Sequence, residues 1–100
     1  MNDRALLRTA ADRLERLAAR TTPGDWRTGG LLASRPEVIA HRDGETEHVA
    51  DARARTAAWI AALSPAVGRS LVAWLRAAAD APTVDPSATA TARALLDRLP

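Results

Sequence analysis

The sequence predicts an α+β fold with an N-terminal helix, a small antiparallel β-hairpin or meander over about residues 26–50, and two to three C-terminal helices. Three observations predict it. Apolar residues repeat at three- and four-residue steps near the N-terminus, an Asp-Gly turn sits between two alternating segments, and helical periodicity returns from Asp51 onward. The length of 100 residues predicts one domain, residues 1–100.

The first helix is predicted over residues 3–20. Its apolar stripe comprises Leu6, Leu7, Ala10, Leu14, Leu17 and Ala18, and its charged residues lie largely on the other side. Asn2 or Asp3 can cap the N-terminus. Pro23 and Gly24 end the helix, because neither residue continues a helix without a free-energy cost.

The predicted hairpin turns at Asp43 and Gly44, which suit a type I′ turn because both positions need a positive φ. In the simplest register Arg42 lies opposite Glu45, and Val38 opposite Val49, which matches a charge pair and an apolar pair. Residues 26–33 supply the third strand of a meander, although Gly29 and Gly30 weaken that strand.

Three helices are predicted after the sheet. The first follows Asp51 as its cap, the second starts at Ser64 and Pro65 and runs to about residue 79, and the third starts at Asp85 and Pro86 and runs to about residue 99. Two tryptophans lie in apolar helical surroundings and are predicted to anchor the helical core: Trp59 and Trp74.

The composition predicts a thin core and explains a misleading isoelectric point. Of the 47% hydrophobic residues about half are Ala, so closely packed Ala-lined helices are expected. The calculated isoelectric point of 10.9 follows from the absence of Lys, Tyr and Cys, since 14 Arg nearly balance 12 acidic residues at pH 7. The absence of Cys excludes disulfides and thiolate sites. A cytoplasmic protein without a membrane segment is expected.

No catalytic motif or cofactor site is expected. His41 and His48 lie among carboxylates, and the register places both on one face, but Glu45 and Glu47 point to the other face, so no metal site is predicted. No serine has a nucleophile elbow around it, and Gly29-Gly30 lacks the lysine of a phosphate loop. The chain is therefore predicted to be no enzyme and to need no cofactor.

The candidate partner-binding residues form three groups. Residues 1–20 carry the whole surplus of two positive charges, and Trp26 is a candidate aromatic anchor. The acidic hairpin tip could imitate the charge of a nucleic acid locally. The candidates are Arg4, Arg8, Arg13, Arg16 and Arg20 on the first helix, Trp26, and Asp43, Glu45 and Glu47 at the tip.

Two motifs carry a resemblance to a known family. Thr22-Pro23-Gly24-Asp25-Trp26 follows the first helix, and later Trp59-Ile60-Ala61-Ala62-Leu63-Ser64-Pro65 leads into a Leu-rich helix. This order resembles small proteins of actinobacterial phages, prophages and their hosts that are related to the Ead-like phage proteins. Asp25 replaces the second Pro of the family's Thr-Pro-Gly-Pro-Trp element, and Thr56 stands where Asn is usual. The resemblance implies an accessory gene of phage type without an established catalytic activity.

The favoured interpretation is a non-enzymatic accessory protein that binds a host or phage protein and inhibits or modulates a host system such as a defence complex. One alternative is a small regulator that binds DNA through the arginines of the first helix. The sequence favours a nucleic-acid partner less than a protein partner. A further alternative is a homodimer whose helices bury surface that the monomer exposes.

Overall fold

The computed structural model describes residues 1–30 and 36–100, and it has the predicted α+β architecture. In chain order the elements are α1 (Asp3–Arg20), β1 (Asp25–Gly29), β2 (Glu37–Arg42), β3 (Glu45–Asp51), α2 (Ala54–Ala62), α3 (Pro65–Asp80) and α4 (Pro86–Leu96). The predicted meander is confirmed, with β1 covering the first part of the expected strand. The part of that prediction on residues 31–33 lies outside the described residues.

The chain divides into two compact units. Met1–Arg20 and Gly68–Pro100 form the helical unit, and Thr21–Val67 forms the sheet unit. The core of the helical unit consists of the facing sides of α1, α3 and α4, and most of its buried residues are Ala. The buried residues are Leu7, Ala10, Ala11, Val72, Leu75, Ala79, Ala88 and Ala92. Small side chains at these positions let the helices approach closely, as the composition predicts.

Two helix starts follow the predicted capping. The Asn2 Oδ1 atom accepts a hydrogen bond from the Ala5 backbone N–H at 2.8 Å, and the Asp85 side chain accepts one from Ser87 at 2.8 Å. The predicted cap at Asp51 is wrong. Asp51 ends β3, where it pairs with Glu37, and α2 begins only after Arg53, whose side chain makes no capping bond.

The sheet is antiparallel with the order β1-β2-β3. Asp43 and Gly44 have φ values of 53° and 79°, which confirms the predicted positive φ at both turn positions. Arg42 pairs with Glu45 as predicted. The predicted pairing of Val38 with Val49 is wrong, because a β-bulge shifts the register so that Val38 lies opposite Ala50.

Helix α2 packs against β1 and β2 in the sheet unit. Val38 and Ala40 are buried on one face of β2, and Ala57 is the buried residue of α2. Before β1 the chain turns at Gly24, which has a φ of +114°. A Cβ atom added to Gly24 would lie 2.7 Å from the carbonyl oxygen of His41. The Pro-Gly element is therefore fixed by a close backbone contact.

The prediction that Trp59 and Trp74 anchor the core is wrong. Trp59 is 68% exposed and Trp74 is 41% exposed. The helices bury Ala57 on α2, and Val72 and Leu75 on α3, and these residues occupy other positions around each helix than the tryptophans. On α2, an alanine at the buried position permits a closer approach to the sheet than an indole ring would.

Within residues 1–30 and 36–100, no single helix has the length and apolar composition to span a membrane. Two separate helices, α2 and α3, reach the criterion only when they are counted together.

Candidate functional site

Two of the five arginines of α1 are used inside the helical unit. The Arg4 guanidinium donates to carbonyl oxygens at and beyond the end of α3: Ala79 at 2.6 Å, Ala81 at 2.6 Å and Pro82 at 3.1 Å. These contacts satisfy carbonyl groups that a helix end leaves without partners. Arg8 pairs with Asp80 at 2.9 Å, with both side chains more than half exposed. Arg4 thus stabilises the fold of this unit, whereas the exposed pair of Arg8 with Asp80 contributes little.

The other three arginines form a basic group toward the end of α1. Arg13, Arg16 and Arg20 line an open cleft of about 440 Å³ together with Leu17 and Pro100. None of the three arginines forms an ion pair with another residue that the structure describes. Their charges therefore stay available to solvent and to an anionic partner.

The acidic residues of α1 have a partner on α3. The Arg76 guanidinium donates to both carboxylate oxygens of Glu15, at 2.8 and 3.1 Å, and to Asp12 at 3.0 Å. The hydrogen bond from Arg76, with its positive charge, lowers the pKa of Glu15 from the ordinary value of 4.5. Arg76 balances the charge of one of these two carboxylates, so one of their two negative charges remains on α1 against the three arginines of the basic group.

The predicted acidic tip is present and exposed. Asp43, Glu45 and Glu47 line an open cleft of about 410 Å³ beside the β2–β3 turn. Arg42 lies 3.7 Å from Asp43 and contributes a positive charge to the same cleft. The tip therefore has mixed charge, which makes it a weak imitation of a nucleic acid.

Trp26 is half-buried rather than a free anchor. Its indole N–H donates to the carbonyl oxygen of Thr22 at 3.0 Å. One side of the ring borders a shallow groove of about 250 Å³, which Ala58, Ala61 and Ala62 of α2 also line. Trp26 thus closes the Pro-Gly turn, and a smaller part of its surface is open to a partner.

The most exposed aromatic surface of the sheet unit lies on α2. Trp59 is 68% exposed and Leu63, four residues later, is 51% exposed, while Ala58 and Ala62 beside them are also exposed. We call these four residues the Trp59 face. Sequence reasoning missed it because almost every side of α2 is apolar, so periodicity does not distinguish the buried side. The one available signal was Arg55, which lies one helical turn before Trp59.

A second group that sequence reasoning missed lies across β2 and β3. His48 Nδ1 is 3.2 Å from Glu37 Oε2, and His48 Nε2 is 3.7 Å from Asp51 Oδ1. Glu37, His48 and Asp51 each offer one atom that could bind a metal ion, and these three atoms lie within 4.8 Å of one another. Glu37 and Asp51 belong to this group together with His48, and His41 does not. The group depends on the β-bulge, which the sequence pattern does not reveal.

Comparisons with known proteins return no match for this chain. No family model matches it, and no curated protein or solved structure does so. The resemblance to Ead-like phage proteins therefore rests on the two sequence motifs alone.

Proposed function

We propose that the chain is a non-enzymatic accessory protein that acts by binding another protein through the Trp59 face. The exposure of Trp59, at 68%, carries this proposal. An indole ring left in water forgoes the free energy that burial would supply, and tryptophan is enriched among the residues that dominate binding energy at protein interfaces. Leu63, one helical turn along, extends the same apolar surface.

The charges around the Trp59 face specify the chemistry of the partner. Between Ala52 and Val67 the only charged residues are Arg53 and Arg55, and both are exposed. A matching surface would therefore carry an apolar pocket for the indole ring with acidic residues at its rim. Opposite charges at the rim would speed association and fix the orientation of the complex.

The biological setting of this proposal comes from the sequence resemblance. The two motifs that resemble Ead-like phage proteins support a phage or prophage origin, and binding to a host protein, such as a component of a defence complex, suits a small protein without a cofactor. Such a role needs a complementary surface and no active site.

The test begins with capture from a lysate of an actinobacterial host, followed by purification of the captured protein and measurement of its Kd for this chain. The expected result is that Trp59→Ser weakens binding more than tenfold, as for a central interface residue. Higher salt should weaken binding modestly, because only the rim is charged. An unchanged Kd for the variant would exclude the Trp59 face as the contact surface.

The matched control is Leu17→Ser on α1, which removes another exposed apolar side chain, 39% exposed, from the helical unit. We expect this variant to bind the purified partner as the wild-type protein does. A loss of binding in Leu17→Ser with normal binding in Trp59→Ser would place the contact on α1 instead. Circular dichroism of both variants checks that each is folded.

The basic group on α1 supports a second candidate function, which is DNA binding. Arg13, Arg16 and Arg20 form no ion pair with the described residues and line one open cleft. Contacts with phosphates would make binding fall steeply as salt rises. We expect binding to duplex DNA, measured by fluorescence polarisation at about 50 mM salt, to be lost in an Arg13→Glu/Arg20→Glu variant. An absence of binding to the wild-type chain at that salt concentration would exclude this function.

A further inference from the structure

We propose that Glu37, His48 and Asp51 bind a divalent transition-metal ion such as Zn²⁺ on the sheet unit. The site is independent of the Trp59 face and goes beyond the proposed function. It lies on the side of β2 opposite to the buried Val38 and Ala40, because alternate residues of a strand point to opposite faces.

The distances fit a metal ion that draws the three side chains slightly together. Two ligands bonded to zinc at about 2.0–2.1 Å in tetrahedral geometry lie about 3.3 Å apart. One imidazole binds an ion through only one of its nitrogens, and Nδ1 of His48 lies 3.2 Å from Glu37 Oε2. Taking one ligand atom from each of the three residues, these atoms all lie within 4.8 Å of one another. Rotations of the half-buried Glu37 and of the exposed His48 and Asp51 would bring the three ligand atoms together around an ion.

The β-bulge assembles this set. His48 lies opposite Ile39. Glu37, two positions before Ile39 in β2, lies opposite Asp51, which is three residues beyond His48 in β3. His48 lies on the same face as Glu37 in either register, and the extra residue on β3 brings Asp51 to that face as well. Without it Ala50 would lie opposite Glu37, and the third ligand would be missing. Bulges commonly redirect a side chain next to a functional site.

The charge of the group also favours a cation. Among the residues that the structure describes, His48 is the only ion-pairing partner of Glu37 or Asp51, and no arginine pairs with either carboxylate. With a neutral imidazole the three side chains together carry two negative charges, which a divalent ion would balance. An imidazole with two carboxylates selects Zn²⁺, Ni²⁺ or Co²⁺ over Mg²⁺ and Ca²⁺, which prefer oxygen ligands alone.

The test is isothermal titration of the full chain, without a histidine tag, with ZnCl₂ at pH 7.5, together with thermal unfolding in ZnCl₂. We expect one Zn²⁺ per chain and a rise in Tm, since an ion that binds only the folded state stabilises it. Binding should weaken more than tenfold in His48→Gln and also weaken in Asp51→Asn. Lowering the pH should release the metal, because the histidine ligand must be neutral.

The matched control is His41→Gln, which removes the other histidine, on β2 and outside the group. We expect this variant to bind Zn²⁺ as the wild-type chain does. Three results would overturn the proposal: no heat or Tm change at 1 mM ZnCl₂, equal losses in His41→Gln and His48→Gln, or MgCl₂ binding as tightly as ZnCl₂. Circular dichroism of His48→Gln confirms that a loss of binding is not a loss of folding.

Discussion

Arg76 holds Glu15 by a two-pronged contact, in which its two terminal nitrogens donate to the two carboxylate oxygens at 2.8 and 3.1 Å. This geometry matches the planar guanidinium to the planar carboxylate. Because both side chains are about half exposed, solvent screens the pair, and its contribution to stability is small.

The pair predicts a pH-dependent difference in stability. Arg76 lowers the pKa of Glu15 in the folded state. The stabilisation of the fold by this pair is therefore present in full above pH 4.5, the ordinary pKa of Glu15, and is lost as the pH falls through the lowered pKa. We expect Arg76→Gln to lower Tm at pH 7 and the difference from wild type to shrink below pH 4.5. Arg69→Gln, on the same helix and without an ion pair in the described residues, should show no such pH-dependent difference.

The exposure of Trp59 predicts its behaviour in fluorescence quenching. Iodide should reach the indole of Trp59 more readily than that of Trp26, which is half-buried and hydrogen-bonded. We expect Trp59→Phe to lower the quenchable fraction of the emission without changing Tm. Trp26→Phe should lower Tm, because it removes the hydrogen bond to Thr22. Equal quenching in both variants would contradict the exposure of Trp59.

Two glycines should respond in opposite directions to replacement by Ala. At Gly24 the φ of +114° and the contact of 2.7 Å with His41 make a Cβ atom costly, so Gly24→Ala should lower the free energy of unfolding by about 2 kcal/mol. Gly68 lies in α3, and no atom of another part of the chain lies within 4 Å of the position that an added methyl group would take. Gly68→Ala should therefore raise the free energy of unfolding by about 0.5–1 kcal/mol. Urea denaturation measures both values.

The hydroxyl of Thr89 predicts a stabilising substitution. Thr89 is 6% exposed, and its Oγ1 atom has no hydrogen-bond partner among the described residues. Thr89→Val keeps the shape of the side chain and removes the unsatisfied group, so the free energy of unfolding should rise by about 1 kcal/mol. The control is Thr91→Val, whose hydroxyl donates to Ser87 at 2.9 Å and is exposed, and which should give no increase.

The sequence was sufficient to predict the elements, and the buried Leu7 and Ala10 lie on the predicted stripe of α1, but the buried face of α2 was not predicted. Asn2, Asp85 and the Asp43-Gly44 turn have local signals that depend only on neighbouring residues, and all three predictions are confirmed. Trp59 was misplaced because α2 is apolar on nearly every side, so only tertiary packing decides its orientation. The hydrophobic periodicity of a helix does not indicate its buried side when the helix has few polar residues.

The candidate sites were harder to predict for a related reason. One extra residue in β3 changes which side chains meet, and a pairing pattern that alternates regularly cannot reveal a bulge. The partners of Arg4 and Arg76 lie far along the chain from them, and single-sequence patterns carry no signal for such contacts. Contacts that join distant segments were therefore found only in the structure.

The helical unit is built from both ends of the chain, with the sheet unit encoded between them. Leu7 of α1 is synthesised before the sheet unit, whereas its core partners Leu75 and Ala92 are synthesised after that unit. Closing the intervening segment costs about 3 kcal/mol of chain entropy before those contacts form. A nascent chain therefore carries an uncovered apolar stripe on α1 until α3 and α4 have been synthesised.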